Sequence, residues 1–263
     1  MSQTLGSALT IQARVVGALI LRELHTRFGR HNIGFLWLMI EPMMLAGGVT
    51  IGHLLGVNVQ MPRGMNATQF WITGYAPWVL FRSIILRADS AIHANRTLLY
   101  HRIVTLFDIH LARATLDGAA TVLSLSILLG VTAAFGVGTL PQRPLLLILA
   151  LVLLWLLAFG LSLLYCAWAE VSHIAEKVIH PTIYILLPFS GVFYLIDWIP
   201  SFYHPYLLLV PIPHLIELVR EGQFGDSFHS PYIDISYVLS WCLLANFFGL
   251  FALRRLRRHV VLT

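Results

Sequence analysis

Long uncharged runs separated by short polar breaks dominate this chain. Before the first run, Leu5, Leu9, Ala13, Val16, Ile20 and Leu24 recur at helical spacing, and Ser7, Thr10, Arg14 and His25 fall largely on the opposite side. That pattern predicts an amphipathic helix lying in a membrane interface. Six hydrophobic spans follow. The first covers residues 33–55. The second, 70–86, is broken only by Arg82. The third is uncharged over 118–137, with a helical approach from Ile103. The fourth begins after Pro144 and stays uncharged to Ala169. The fifth, 178–196, contains Pro181 and Pro188, and the sixth covers 235–253. Each approaches the roughly 17–25 residues that a hydrocarbon core requires.

The last connection, residues 197–232, is too long for a tight turn. Its stretch Tyr206-Leu207-Leu208-Leu209-Val210-Pro211-Ile212-Pro213-His214-Leu215-Ile216 is apolar enough to enter a membrane but too short and too proline-broken to cross it. Short helices or re-entrant segments are expected there, a backbone tolerated only where protein or a wet cavity covers it. The predicted fold is thus an all-α membrane protein: an interface helix, six transmembrane helices and short helices in the last extracytoplasmic segment.

Composition agrees. Hydrophobic residues make up 58% of the 263 residues and charged residues 11%, against about a quarter charged in soluble domains. The length leaves no room for a separate soluble catalytic domain. The net charge of +5 does not mark a nucleic-acid partner, because the basic residues flank spans. Arg14, Arg22, Arg27, Arg30, Arg87, Arg96, Arg102, Lys177, Arg254, Arg255, Arg257 and Arg258 fall on one side of a six-span layout. Only Arg63, Arg143 and Arg220 fall on the other. Both termini are therefore expected in the cytoplasm. No cleavable leader is expected: the first apolar stretch is interrupted by Gln12 and Arg14 and has no charged segment before it. Cys166 and Cys242 sit inside spans and read as packing residues rather than a disulfide.

Enzyme chemistry finds little support. A nucleotide-binding loop needs a lysine behind glycines, whereas Lys177 is the only lysine and follows Ala175-Glu176. No zinc helix or nucleophile elbow is present. His173, Glu176 and His180 share a helical face, but they sit at a helix start near the interface and read as a polar face, so no metal is expected.

Charges inside spans are more informative. A carboxylate at Glu41 costs roughly 2.5–3.5 kcal/mol on insertion scales unless paired or wetted, and Arg82 poses the mirrored problem. Counted from the outer ends of their spans, the two differ in depth by roughly 3 Å at 1.5 Å per residue. Either both line a wet path, with Arg87 nearer the cytoplasm, or they form a structural pair. Asp108, Arg113 and Asp117 lie where the third helix leaves the cytoplasm and read as solvated. Phe70, Trp71, Tyr75 and Trp78 crowd the outer end of the second span, and Phe189, Phe193, Tyr194 and Trp198 that of the fifth. Such rings anchor helices at head groups or stack on sugars. The connections 95–102 and 169–177 are short and polar, suited to small helices that transmit movement or to simple turns.

Arg27, Phe28, Gly29, Gly34, Trp37, Glu41 and Pro42 carry a resemblance to the membrane subunits of type-2 ABC exporters that move polysaccharides. The segment Ser190-Gly191-Val192-Phe193-Tyr194 leading to Ile199-Pro200 adds to it. The chain resembles, over most of its length, the inner-membrane permease of a capsular or related polysaccharide exporter. The resemblance implies a single membrane domain: residues 1–30 the interface helix, 31–254 the six spans, 255–263 a cytoplasmic tail. It implies two copies of the chain beside two ATP-binding subunits, which hold ATP and magnesium; this chain would carry no cofactor. Arg27 and Arg30, with Asn95, Arg96, Leu99, Tyr100 and Arg102, would contact those motors. The substrate the resemblance implies is a lipid-linked, acidic glycan, and the charges and rings read above, Glu41, Arg82, Arg87, Trp71, Tyr75, Trp78, Phe193 and Tyr194, are the candidates for its path. A periplasmic co-polymerase and an outer-membrane exporter would complete the system. O-antigen and teichoic-acid permeases often have proline at the position of Gly191 and an Arg-Asp pair near the fourth-to-fifth connection. Glu170-Val171-Ser172 stands there instead, which tilts the reading toward the capsule branch. A permease for a small lipid or drug is the alternative.

Overall fold

The computed structural model describes residues 5–28, 40, 44, 61–62, 64–88, 95 and 104–260. Among these the chain is helical, with no strand. The main helices are α1 (Leu5–Phe28), α2 (Ala67–Leu86), α3 (Leu106–Ala134), α4 (Pro144–Val171), α5 (His173–Phe189), α6 (His204–Leu207), α7 (Pro211–Phe224) and α8 (Ile235–Val260). Three segments are each long and apolar enough to cross a membrane: Leu106–Ala134, Pro144–Val171 and Ile235–Leu256. A bent pair, Ser201–Leu207 with Pro211–Ser227, makes a fourth if taken as one span. Of the expected first span only Ile40 and Met44 are described; Gly34, Trp37, Glu41 and Pro42 lie outside the described residues.

Local chemistry sets the helix ends. Asn66 Oδ1 accepts from the N–H groups of Thr68 (2.8 Å) and Gln69 (3.4 Å), so α2 starts a few residues before its apolar run. Thr105 and Asp108 form a capping box that opens α3. Pro144 sits in the first turn of α4, where its missing N–H costs nothing. α5 ends at Phe189, short of the expected 196. Gly191 turns the chain there at φ 79°, a left-handed conformation that side chains resist. Proline, fixed near φ −65°, cannot occupy that position in this conformation.

α4 is the central helix. Ala150, Leu154, Leu157, Ala158 and Leu163 have no exposed surface, and α8, α7, α2, α3 and α5 all pack on it. Its composition explains this, since a helix apolar all round has no face to give to water. The α4–α8 contact is built from small residues. A Cβ on Gly160 would lie 2.6 Å from the backbone N of Asn246, and one on Gly249 would lie 2.6 Å from the carbonyl O of Gly160. Ala245 and Gly249, one turn apart, thus let two backbones touch, as small residues do in membrane helix pairs. Asn246 Nδ2 donates to Leu156 O at 2.9 Å across the same seam. Cys166 and Cys242 are buried packing residues, and the Cys242 thiol donates to Leu153 O at 3.4 Å across the α4–α8 contact.

The opposite face of α8 exposes Leu243, Leu244, Phe247 and Phe251, the surface a lipid-facing helix presents.

α1 departs from its expected stripe. Ala13 and Leu24 are exposed, whereas Leu19 is buried with Ile109 and Ala112 of α3, flanked by Val15, Val16 and Ile20. The buried face continues to Glu23, 7% exposed. One helix packed on one neighbour buries only a narrow stripe, and Arg113 of α3 draws Glu23 into it.

Candidate functional sites

At the end of the bundle expected to face outward, α7 is the organising element. All of its residues are buried, including His214, Glu217, Arg220, Glu221 and Gln223. Proline at its start and apolar residues on both sides let it form within a protein interior. Its polar groups are then paired one by one, as burial demands. The guanidinium of Arg220 has no exposed surface. Its Nη1 donates to the carbonyls of Gly191 and Tyr194, both at 2.8 Å, and Nη2 to that of Val192 at 2.7 Å. Its Cζ lies 3.9 Å from the ring centroid of Phe70 on α2, within cation–π reach. Glu217, one turn earlier, is 3.7 Å away and accepts from the N–H of Ile196 at 3.3 Å. Arg220 thus holds the turn after α5 against α2, which approaches so closely that a Cβ on Gly74 would sit 2.6 Å from Val192 O.

Other bonds fasten the C-terminal end of α7. Gln142 and Arg143 donate backbone N–H groups to the carbonyls of Gln223 and Gly222. Gln69 and Gln223 both donate to Thr139 O, at 2.7 and 2.8 Å. Arg143 reaches Glu221 and Asp226, and His229 reaches Glu221 at 3.0 Å. Near the start of α8, Asp234 is held below the usual carboxylate range by the Ser236 hydroxyl and the Tyr237 N–H.

The two expected aromatic groups meet at this end. Phe70 packs on Trp198 (centroids 5.5 Å) and edge-on to Trp71 (5.6 Å), and Trp71 packs on Phe193 (5.7 Å). The ledge is partly open: Phe193 and Trp198 are exposed, and Trp71 and Tyr194 are half-buried. The indole N–H of Trp71 makes no hydrogen bond among the described residues. Tyr75 is half-buried against the core. Trp78 goes elsewhere, 1% exposed and packed on Phe81, so within the single chain it is a packing residue.

The opposite end holds an ion-pair layer. Arg87, the C-cap of α2, pairs with Asp117 at 3.0 Å. Arg113 pairs with Glu23 at 3.1 Å and donates to Arg87 O at 3.3 Å. Gln12 donates to Asp108 at 3.0 Å, and Arg22 donates to the side chain of Asn95. The expectation that Asp108, Arg113 and Asp117 are solvated is therefore corrected. Both aspartates are buried and the Arg113 side chain is 12% exposed, because α1 and the end of α2 cover them.

Arg82 is half-buried on α2, and its expected counterpart Glu41 lies outside the described residues. So do Arg30, Arg96, Leu99, Tyr100 and Arg102, and the side chains of Arg27, His173 and Glu176. The sequence signal for the Glu217–Arg220 pair is its spacing of three, one helical turn, behind the apolar run 206–216. Nothing local marked Glu23 and Arg113 as partners.

Residues 14–224 match the model of the ABC-2 type transporter family. The chain is 33% identical over 253 residues to the capsule polysaccharide export inner-membrane protein CtrC of Neisseria meningitidis, covering 96% of this chain and 95% of that protein. It is 33% identical over 224 residues to the capsule polysaccharide export inner-membrane protein BexB of Haemophilus influenzae, covering 85% and 84%. It is 30% identical over 260 residues to the polysialic acid transport protein KpsM of Escherichia coli, covering 98% of each. A transmembrane helical architecture with a central apolar helix and this near end-to-end similarity lead to one assignment: the chain belongs to the ABC-2 type transporter family.

Proposed function

We propose that this chain is the permease subunit of an exporter that moves capsular polysaccharide across the bacterial inner membrane. The observation that carries the reading is the near full-length similarity to inner-membrane proteins named for capsule polysaccharide export. Lys177 follows no glycine loop, so energy comes from separate ATP-binding subunits, which hold ATP and magnesium. Two copies of the chain pair with two such subunits, and residues 33–55, α2, α3, α4, α5 and α8 form six spans with both termini in the cytoplasm. The substrate is a lipid-linked, acidic glycan, handed on to a periplasmic co-polymerase and an outer-membrane exporter. Arg82 and Glu41 line its path. The Trp71–Phe193 ledge supports this role, since the exposed rings of Phe193 and Trp198 suit a sugar's C–H face.

In a deletion strain of the source organism, polysaccharide extractable from the cell surface should fall about tenfold or more while lipid-linked glycan accumulates inside, and the cloned chain should restore export. Undiminished surface polysaccharide would reject the reading, and loss of an O-antigen ladder alone would move it to the O-antigen branch. The topology is tested separately. Alkaline phosphatase fused after Thr263 should stay inactive and a cytoplasmic reporter there should be active; the reverse would invert the arrangement.

A further inference from the structure

The ion-pair layer has a feature that packing alone does not require. Arg113 of α3 is its node. Its Nε lies within ion-pair distance of Glu23 of α1, 3.1 Å, and its Nη1 donates to the carbonyl of Arg87, the residue that caps α2, at 3.3 Å. One turn further along α3, Asp117 takes the Arg87 side chain at 3.0 Å. Asn95, in the connection between α2 and α3, has no exposed surface and accepts from Arg22, the neighbour of Glu23 on α1. Two consecutive residues of α1 therefore grip two different places, the connection and the start of α3. Arg113 and Asp117 grip the end of α2 at a single residue.

Charges so buried gain little net stability over apolar residues of the same size, because desolvation offsets their attraction. What they add is register. Turned by one helical position, α1 would leave Arg113 without its carboxylate and Asn95 without its donor, each in a buried setting where an unpaired polar group is costly. Apolar contacts such as Leu19 on Ile109 and Ala112 carry no such penalty and would tolerate sliding.

We propose that Glu23 and Arg113, supported by Arg22–Asn95 and Arg87–Asp117, are positioning residues that lock α1, the α2–α3 connection and the start of α3 into one body. A push delivered to α1 or to the connection then moves α2 and α3 together instead of being lost as sliding between them. Asn95 acts inside this lock. The proposal rests on the reading that a separate ATP-binding subunit drives the chain.

The test uses the full chain with its partner ATP-binding subunit in the complemented deletion strain. Three quantities are read: the amount of chain in the membrane, carbohydrate extracted from the cell surface, and ATP hydrolysed by the purified complex. Glu23→Arg and Arg113→Glu should each cut surface carbohydrate about five- to a hundredfold, a typical coupling range, and do so more strongly than they reduce ATP hydrolysis. The double swap, Glu23→Arg with Arg113→Glu, should restore export to within about twofold of the unaltered chain. The apolar pair Glu23→Leu with Arg113→Met keeps the packing and removes the charges; it should insert normally yet export poorly for the ATP it spends. Full export by the apolar pair, failure of the swap to rescue, or single variants that export normally would each overturn the lock. The unaltered complex separates this from the reading beneath it: if it exports no glycan with its motor present, the proposed function fails, whatever the variants do.

Discussion

Arg220→Met should unfasten the end of the bundle that α7 organises and leave little of the chain in the membrane. The guanidinium satisfies three carbonyls in the turn after α5, at 2.7–2.8 Å, and is the charge partner of buried Glu217. Methionine fills a similar volume but donates nothing. Removing one member of a buried pair costs about 3–5 kcal/mol, a large share of the total of roughly 5–15 kcal/mol that holds most proteins folded. Arg220→Lys should also fail, since an ammonium cannot spread donors over three carbonyls and stack on Phe70 in one plane. The double variant Arg220→Met with Glu217→Gln separates the terms. Glutamine keeps an acceptor for Ile196 N–H without the stranded charge, so the double variant should be more stable than Arg220→Met alone yet below the unaltered chain. Thermal unfolding of the detergent-solubilised protein, followed by size-exclusion fluorescence, reads all three. An unfolding midpoint for Arg220→Met equal to the unaltered chain would refute the assigned role.

The second large effect is expected at the α4–α8 seam. Gly160→Val and Gly249→Val each place carbon atoms against backbone: Asn246 N in one case, Gly160 O in the other, both at 2.6 Å from the first added atom. Neither neighbour is a flexible side-chain tip, so the helices must separate. Overpacking typically costs about 1–3 kcal/mol, and separation also breaks the Asn246–Leu156 bond and opens the contact with Leu163. Gly130→Ala supplies the control. A Cβ there meets nothing within 4 Å, and alanine in a helix interior is favoured over glycine by about 0.5–1 kcal/mol. Lowered melting for both valine variants beside an unchanged or raised value for Gly130→Ala is the expected pattern. If the valine variants melt like the control, the close approach of α4 and α8 is wrong.

Much of the architecture was legible in the sequence because it is local. A helix in a membrane is set by its own run of apolar residues: α4 and α8 start where Pro144 and the last uncharged run indicate, and α2 and α3 start within three residues of the expected 70 and 103, at positions their caps set. The proline-broken stretch after α5 is helical in two pieces bent by 107°, in keeping with an apolar segment too short to cross. The end of α5 is not legible in composition, because apolar residues continue past Gly191 while the chain itself turns there with φ 79°. The aromatic groups at 70–78 and 189–198 were identified separately. Only the fold showed that Phe70 and Trp71 meet Trp198 and Phe193, and that Trp78 points into the core.

The sequence by itself determined that this is a membrane chain and where most of its helices lie. Each of these depends on neighbours a few positions away, where periodicity and charge counting apply. The tertiary structure alone decided which polar groups are buried and with whom. Gln69 and Gln223 converge on Thr139, Trp155 donates to Ala114, Glu23 finds Arg113, and Arg220 closes the turn at Gly191. Such pairings depend on how far each helix is rotated about its axis and slid along its neighbour. A rotation of one residue, about 100° in an α-helix, changes every partner while leaving the hydrophobic pattern of the chain untouched.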